Sequence, residues 1–148
     1  MAELVSVVGI LANVAAVATA GIQISQSLYK ISKRLINAPK EISDVAWEIA
    51  HLSDMVEILG DVLKSAKKLL KPELLQNAKE ILTRFEKIQK DIKDIVQRGA
   101  HGFDRLRLAF GWTTLPRLMG KLNALKTSLS LVINTLQFSI VAKRANKK

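Results

Sequence analysis

Apolar residues recur every three or four positions along most of the chain, the spacing that places side chains on one face of an α-helix. The pattern is clearest over residues 39–70 and returns over residues 72–97 and 115–146. A shorter apolar segment covers residues 103–112, directly after Gly102. Pro39, Pro72 and Pro116 each fall where a helix is predicted to begin, because the first helical turn does not need the N–H that proline lacks. The residues expected to widen the apolar face of the second helix are Trp47, Met55, Ile58, Val62 and Leu69.

The amino-terminal segment differs from the rest because residues 4–29 contain no charged side chain. The spacing predicts a first helix over residues 1–36. Its uncharged part would be about 39 Å long, compared with roughly 30 Å for the hydrocarbon layer of a bilayer. Glycine and alanine recur here at spacings of three and four, which permits close backbone approach in a bundle or in a membrane. These small residues are Gly9, Ala12, Ala16, Ala20 and Gly21.

Three structural interpretations of this segment compete. A signal peptide would begin with cationic residues, whereas Glu3 is the only early charge. A permanent membrane anchor would bury polar residues such as Asn13 and Gln23 in hydrocarbon, which is costly. A helix buried on all sides within a bundle fits the resting protein best.

Together these segments predict an all-α fold, a helical bundle of four long helices plus one short helix. The helices are expected at residues 1–36, 39–70, 72–97, 103–112 and 115–146, in a single domain over residues 1–148. The apolar fraction of 49% excludes a disordered chain. No internal repeat or linker divides the sequence.

The net charge of +10 is concentrated in the last third of the chain. Residues 98–148 hold ten Lys and Arg against the single Asp104, whereas residues 1–97 hold 13 against 12 acidic residues. A basic face either improves solubility or attracts an anionic partner, and that partner is a phospholipid headgroup or a nucleic acid. Nucleic-acid readers usually combine basic residues with interleaved aromatics or a polar recognition helix. The aromatics here, Phe138 among them, stand where a core or an interfacial belt would use them, so lipid is favoured.

Catalytic chemistry finds no support in the sequence. There is no cysteine and there are only two histidines, which disfavours a metal site and a disulfide framework. His51 is expected to be a half-buried packing residue beside the apolar face of the second helix. Pairs of carboxylates at helical spacing, such as Asp91 and Asp94, lie among lysines and are typical of a solvated face. We therefore expect no enzyme activity, no catalytic residue, no metal and no cofactor, in an intracellular protein.

Four sequence motifs resemble those of a known family when taken in order. They are MAELV at residues 1–5, APKEI at 38–42, LRLAF at 106–110 and LNALKTSL at 122–129. The chain resembles the fungal HeLo-like (HeLo and HELL-type) N-terminal domains of NLR-type (STAND) receptors and related cell-death proteins. The resemblance covers essentially the whole chain.

The resemblance implies an effector module whose first helix, carried over by position to Leu4 through Tyr29, reaches the membrane once the protein oligomerises. Cations near this helix and in the short segment would hold anionic phospholipid. The membrane-inserting residues would be Leu4, Val5, Val8, Ile10, Leu11, Val14 and Val17. The lipid-contacting cations would be Lys30, Lys33, Arg34, Arg105 and Arg107.

The expected function is therefore a membrane-targeting, oligomerisation-triggered cell-death effector of fungal innate immunity or heterokaryon incompatibility. Such a protein would be cytoplasmic at rest and would move to the plasma membrane on activation. Its partners would be an anionic phospholipid membrane, further copies of itself, and an NLR-like or amyloid-signalling protein; nucleic acid is disfavoured. The alternative is a non-lytic self-association or signalling adaptor domain of a fungal NLR-like protein.

Overall fold

A computed structural model of the chain describes residues 6–34, 40–66, 70–98 and 114–146. These ranges form four α-helices and contain no strand, so the predicted all-α class is confirmed. The predicted short helix over residues 103–112 lies outside the described residues. The helices are α1 (Val7–Arg34), α2 (Lys40–Ser65), α3 (Pro72–Arg98) and α4 (Thr114–Asn146).

The start of α1 is set by Ser6, whose hydroxyl accepts a hydrogen bond from the backbone N–H of Gly9 at 3.0 Å. The carbonyl of Ser6 also accepts the N–H of Ile10 at 3.1 Å. This is the arrangement of a helix N-cap, in which a serine satisfies N–H groups that have no partner within the helix. The described helix α1 therefore begins at Val7, directly after this capping residue, and the predicted start at residue 1 lies outside the described residues.

The end of α2 also differs from its prediction, since the helix ends at Ser65 and not at residue 70. The N–H of Ala66 bonds the carbonyl of Leu63, three residues back, which tightens the last turn. Ala66 is buried and Leu70 still packs against the core, so the apolar spacing continues past the end of the helix. Pro72 is the first residue of α3, as predicted.

Each helix packs against two of the others. α1 has extensive contacts with α2 and α3, and α4 has extensive contacts with the same two helices. α1 and α4 therefore occupy diagonally opposite corners of a four-helix bundle, and α2 and α3 occupy the other two corners. Side chains from all four helices share one apolar core, with Leu28, Ile49, Phe85 and Leu129 among its fully buried members.

The position of α1 corrects the expectation that this helix is buried on all sides. A helix at a corner of a four-helix bundle has two neighbours and therefore one face toward the core. Apart from the adjacent Val17 and Ala18, the buried residues of α1 follow each other at spacings of three and four, and its remaining positions are half-buried or exposed. The buried set is Ile10, Val14, Val17, Ala18, Gly21, Ile24 and Leu28.

Two residues expected to widen the apolar face of α2 do not do so. Trp47 and Ile58 are both exposed. The indole of Trp47 stacks on the ring of His51, with ring centroids 5.5 Å apart and an angle of 3° between the planes. His51 is half-buried, as expected.

A candidate membrane-active helix and the contacts that hold it

The outward face of α1 carries no charge from Ser6 to Tyr29, which is unusual for the solvent side of a helix in a soluble bundle. The outward face of α3 shows the ordinary case, with exposed residues of both signs such as Glu80, Arg84 and Lys87. The exposed residues of α1 between Ser6 and Tyr29 are instead small, apolar or neutral polar. They are Val8, Gly9, Ala12, Ala15, Ala16, Thr19, Gln23, Gln26 and Ser27.

The residues predicted to insert into a membrane are divided between the two faces of α1. Ile10, Val14 and Val17 are buried in the core, Leu11 is partly buried, and Val8 is exposed. Leu4 and Val5 lie outside the described residues. Movement into a bilayer would therefore require α1 to break the contacts of its buried face.

The small residues of α1 are divided in the same way. Gly9, Ala12 and Ala16 point outward, Ala20 is half-buried, and Gly21 is buried. Within the described bundle, the close approach that small residues permit is made by Gly21, whereas Gly9, Ala12 and Ala16 leave their face of α1 uncovered.

The tightest contact between α1 and its neighbours is at Gly21. A Cβ atom at this position would overlap the Ser53 hydroxyl oxygen of α2, and would lie 3.3 Å from the Ser53 Cβ and 3.2 Å from Nε2 of Gln89 on α3. Only glycine leaves room for the three helices to meet here. Gly60 of α2 allows a second close approach, since a Cβ there would lie 2.9 Å from Cγ1 of Val14.

Two side-chain hydrogen bonds join α1 to its neighbours in the described part of the chain. The Gln89 side-chain amide of α3 donates to the Val17 carbonyl at 3.0 Å, in a buried setting. The Ser25 hydroxyl donates to the Ala46 carbonyl of α2 at 2.6 Å. No charged side chain of α1 forms an ion pair with a described residue of another helix. Apolar burial, the close contact at Gly21 and these two bonds therefore hold α1 in place.

The cations at the end of α1 lie together on its last turns. Lys30, Lys33 and Arg34 are exposed, and the Lys33 ammonium lies 4.6 Å from the centre of the Tyr29 ring. This distance is within the range of a cation–π contact. The other two predicted lipid contacts, Arg105 and Arg107, lie outside the described residues. Of the five predicted lipid contacts, the described residues therefore include three, and these lie directly after the uncharged stretch.

α4 also has an outward face without charge, over residues 127–142, which the sequence pattern did not reveal. α1 and α4 are both long and apolar enough to cross a membrane, judged by length and composition, and a third of the residues in each apolar window are buried. The core helix of a soluble protein meets the same test, as does a signal sequence. On α4, however, three large apolar residues face outward: Leu131 is 66% exposed, Phe138 74% and Val141 65%. Phe138 is therefore not a core residue.

The described residues hold no group of three or more side chains that could ligate a metal ion. Comparison of the chain with protein-family models, with curated proteins and with solved structures found no match.

Proposed function

We propose that this chain is a HeLo-like helical bundle that acts as a membrane-targeting, oligomerisation-triggered cell-death effector, with α1 as the segment that enters the bilayer. The observation that carries the proposal is the absence of charge on both faces of α1 between Ser6 and Tyr29. A soluble bundle has no need of an uncharged outward face, whereas a helix that later enters hydrocarbon does.

The length of α1 suits this role. Residues 7–29 span about 34 Å as a helix, and the hydrocarbon layer is roughly 30 Å thick. Lys30, Lys33 and Arg34 follow at the end of that stretch. In an inserted helix these cations would lie at the headgroup level, where each basic residue near an anionic surface contributes about 1 kcal/mol.

The energetics explain why a trigger is required. α1 buries five large aliphatic side chains, and each contributes about 1.5–3 kcal/mol when fully buried, roughly 10 kcal/mol together. That sum is comparable with the whole stability of a small domain, about 5–15 kcal/mol. α1 would therefore stay in the bundle until lipid or other copies of the protein replace those contacts. On insertion the buried face of α1 would leave the apolar core of the bundle and enter the apolar hydrocarbon layer. Val8 and the alanines of the outward face would leave water and become buried in the same layer.

The test places a charge on the outward face of α1 without disturbing the bundle. Ala16 is exposed, so Ala16→Lys is compatible with the folded state, yet a lysine at the centre of a membrane helix costs about 2.5–3.5 kcal/mol. The matched control is Gln76→Lys at an exposed position of α3, which adds the same charge. Each full-length protein, fused to an inducible oligomerisation module, is clustered on dye-loaded vesicles of phosphatidylcholine and phosphatidylserine.

Insertion of α1 predicts at least a tenfold slower release of dye by Ala16→Lys, with release by Gln76→Lys unchanged. A protein that only adsorbs on anionic lipid would bind more strongly with either added lysine. Clustering of the unsubstituted protein without any leakage would overturn the lytic role and favour the non-lytic adaptor. Equal dye release with and without induced clustering would overturn oligomerisation as the trigger.

A further inference from the structure

α4 has an outward face that is uncharged over residues 127–142 and exposes Leu131, Phe138 and Val141. The other face of the same helix lies in the core, through residues such as Leu129 and Leu136. Large apolar side chains on the outward face of such a helix, with no charged residue beside them in this stretch, are usually covered by a partner. Exposed apolar clusters on a soluble protein mark surfaces that bind a partner.

The charges of α4 indicate which partner fits. Between Thr114 and Asn146 the helix contains no Asp or Glu, and its cations lie on either side of the uncharged stretch. Arg117 and Lys121 are exposed near the amino end, and Arg144 is exposed near the carboxyl end. We propose that the outward face of α4 is a docking surface for an anionic phospholipid bilayer, separate from the membrane-active face of α1.

A second copy of this chain fits the same face less well. Two α4 helices packed side by side, parallel or antiparallel, would bring cations against cations at both ends, because neither helix offers a carboxylate. Like charges placed opposite each other at an interface weaken association. An anionic bilayer instead supplies a negative partner at both ends and an apolar layer for the three exposed side chains.

The length of the uncharged stretch favours a helix that lies along the membrane and does not cross it. Residues 127–142 cover about 24 Å, which is shorter than the roughly 30 Å hydrocarbon layer. Lys126 would also remain within the bilayer if α4 crossed it, and in the folded chain this residue is paired with Glu48 of α2. Amphipathic helices that lie in the interface bury one apolar face at the boundary between headgroups and acyl chains. α4 can do this while its other face stays in the core, so docking needs no unfolding.

The experiment measures binding of the full, unclustered chain to vesicles by co-sedimentation, with phosphatidylcholine alone compared with a mixture containing phosphatidylserine. Phe138→Ser removes the largest exposed apolar side chain of α4. Ile58→Ser is the matched control, since it removes an exposed apolar side chain from α2. Both positions are exposed, and thermal unfolding checks that both variants remain folded.

We expect Phe138→Ser to lower the partition coefficient for anionic vesicles on the order of tenfold or more, because a buried aromatic side chain is lost from the interface. Ile58→Ser should bind like the unsubstituted chain, and raised salt should weaken binding by all three proteins. Equal binding by Phe138→Ser and the unsubstituted chain would overturn the assignment, as would a failure of the unsubstituted chain to bind. If the unsubstituted chain formed a dimer without lipid and Phe138→Ser made it monomeric, the outward face of α4 would bind a second copy of the chain and not the bilayer.

The Ala16→Lys variant separates this result from the fate of α1. It should bind anionic vesicles through α4 whether or not it releases dye. Vesicle binding that proceeds normally with Phe138→Ser, together with leakage that stops with Ala16→Lys, would support insertion by α1 and overturn docking by α4. The reverse pattern would support docking and overturn insertion.

Discussion

The side-chain amide of Gln89 on α3 donates a hydrogen bond to the backbone carbonyl of Val17 on α1, with 3.0 Å between nitrogen and oxygen. The two residues are 72 positions apart in the chain, and Gln89 is, with Ser53, one of two buried polar residues among those that the structure describes. Buried polar groups require partners, so this contact fixes where α1 sits along α3. It lies four residues from Gly21, where α1 approaches α2 and α3 most closely.

The Gln89 contact should contribute to the barrier that keeps α1 in the bundle. Gln89→Leu keeps a similar volume and removes the donor, while the Val17 carbonyl can retain its bond within α1. A buried hydrogen bond contributes about 1 kcal/mol net, so we expect dye release after clustering to become up to about fivefold faster. The control is Gln76→Leu, on the exposed face of the same helix. Unchanged release by a folded Gln89→Leu protein would show that this bond does not restrain α1.

The packing of Gly21 against Ser53 predicts a strong coupling between the two positions. Gly21→Ala alone should lower the free energy of unfolding by about 1–3 kcal/mol, because the new methyl overlaps the Ser53 hydroxyl. Adding Ser53→Ala removes that oxygen, and the intrinsic preference of alanine for helix, about 1 kcal/mol over glycine, can then appear. Urea unfolding of the four proteins gives the coupling, expected at about 0.5–3 kcal/mol. If the two substitutions changed the free energy of unfolding additively, Gly21 and Ser53 would not be in the close contact described here.

The ion pair between Glu48 of α2 and Lys126 of α4 predicts a dependence on salt. Its Oε2 and Nζ atoms are 3.8 Å apart, the Glu48 side chain is 13% exposed, and Lys126 is 38% exposed. Glu48 Oε2 is buried without a hydrogen-bond partner among the described residues, so it depends on the lysine. We expect Lys126→Gln to lower the free energy of unfolding by about 1 kcal/mol, since solvent screens the half-exposed lysine.

Neutralising the acid should cost less than removing its partner, because Glu48→Gln leaves no unpaired buried charge. Urea unfolding at low and at molar salt measures both variants. The deficit of Lys126→Gln should shrink at high salt. A larger loss for Glu48→Gln than for Lys126→Gln would indicate that the glutamate has a different partner.

The helices themselves could be predicted because apolar residues recur every three or four positions, and on α2 and α3 a charged face also marks the side away from the core. Pro72 also places the start of α3 correctly. The end of α2 could not be predicted, because Ala66 and Leu70 maintain the apolar spacing across a turn. Ser6 is a common capping residue, but the apolar pattern runs through it without interruption, so the sequence pattern alone does not mark it as the cap of α1.

The burial of α1 could not be predicted because its sequence lacks the contrast between polar and apolar faces. Small and aliphatic residues alternate all around the helix, so Val8 and Val14 look equivalent in the sequence, although one is exposed and the other is buried. The same lack of contrast concealed the outward face of α4. The polar contact of Gln89 could have been predicted. This residue lies four positions after the buried Phe85, on the face of α3 that is otherwise occupied by apolar side chains.

The diagonal placement of α1 and α4 constrains the order of events on a lipid surface. A planar sheet can touch only one side of a rigid body, so a molecule resting on α4 turns α1 toward the aqueous phase. Its neighbours in the plane, equally oriented, then face α2 and α3, and α1 can reach the lipid only by leaving the bundle. Lateral crowding would precede penetration, and a molecule engaging lipid through both corners at once would bridge two apposed bilayers.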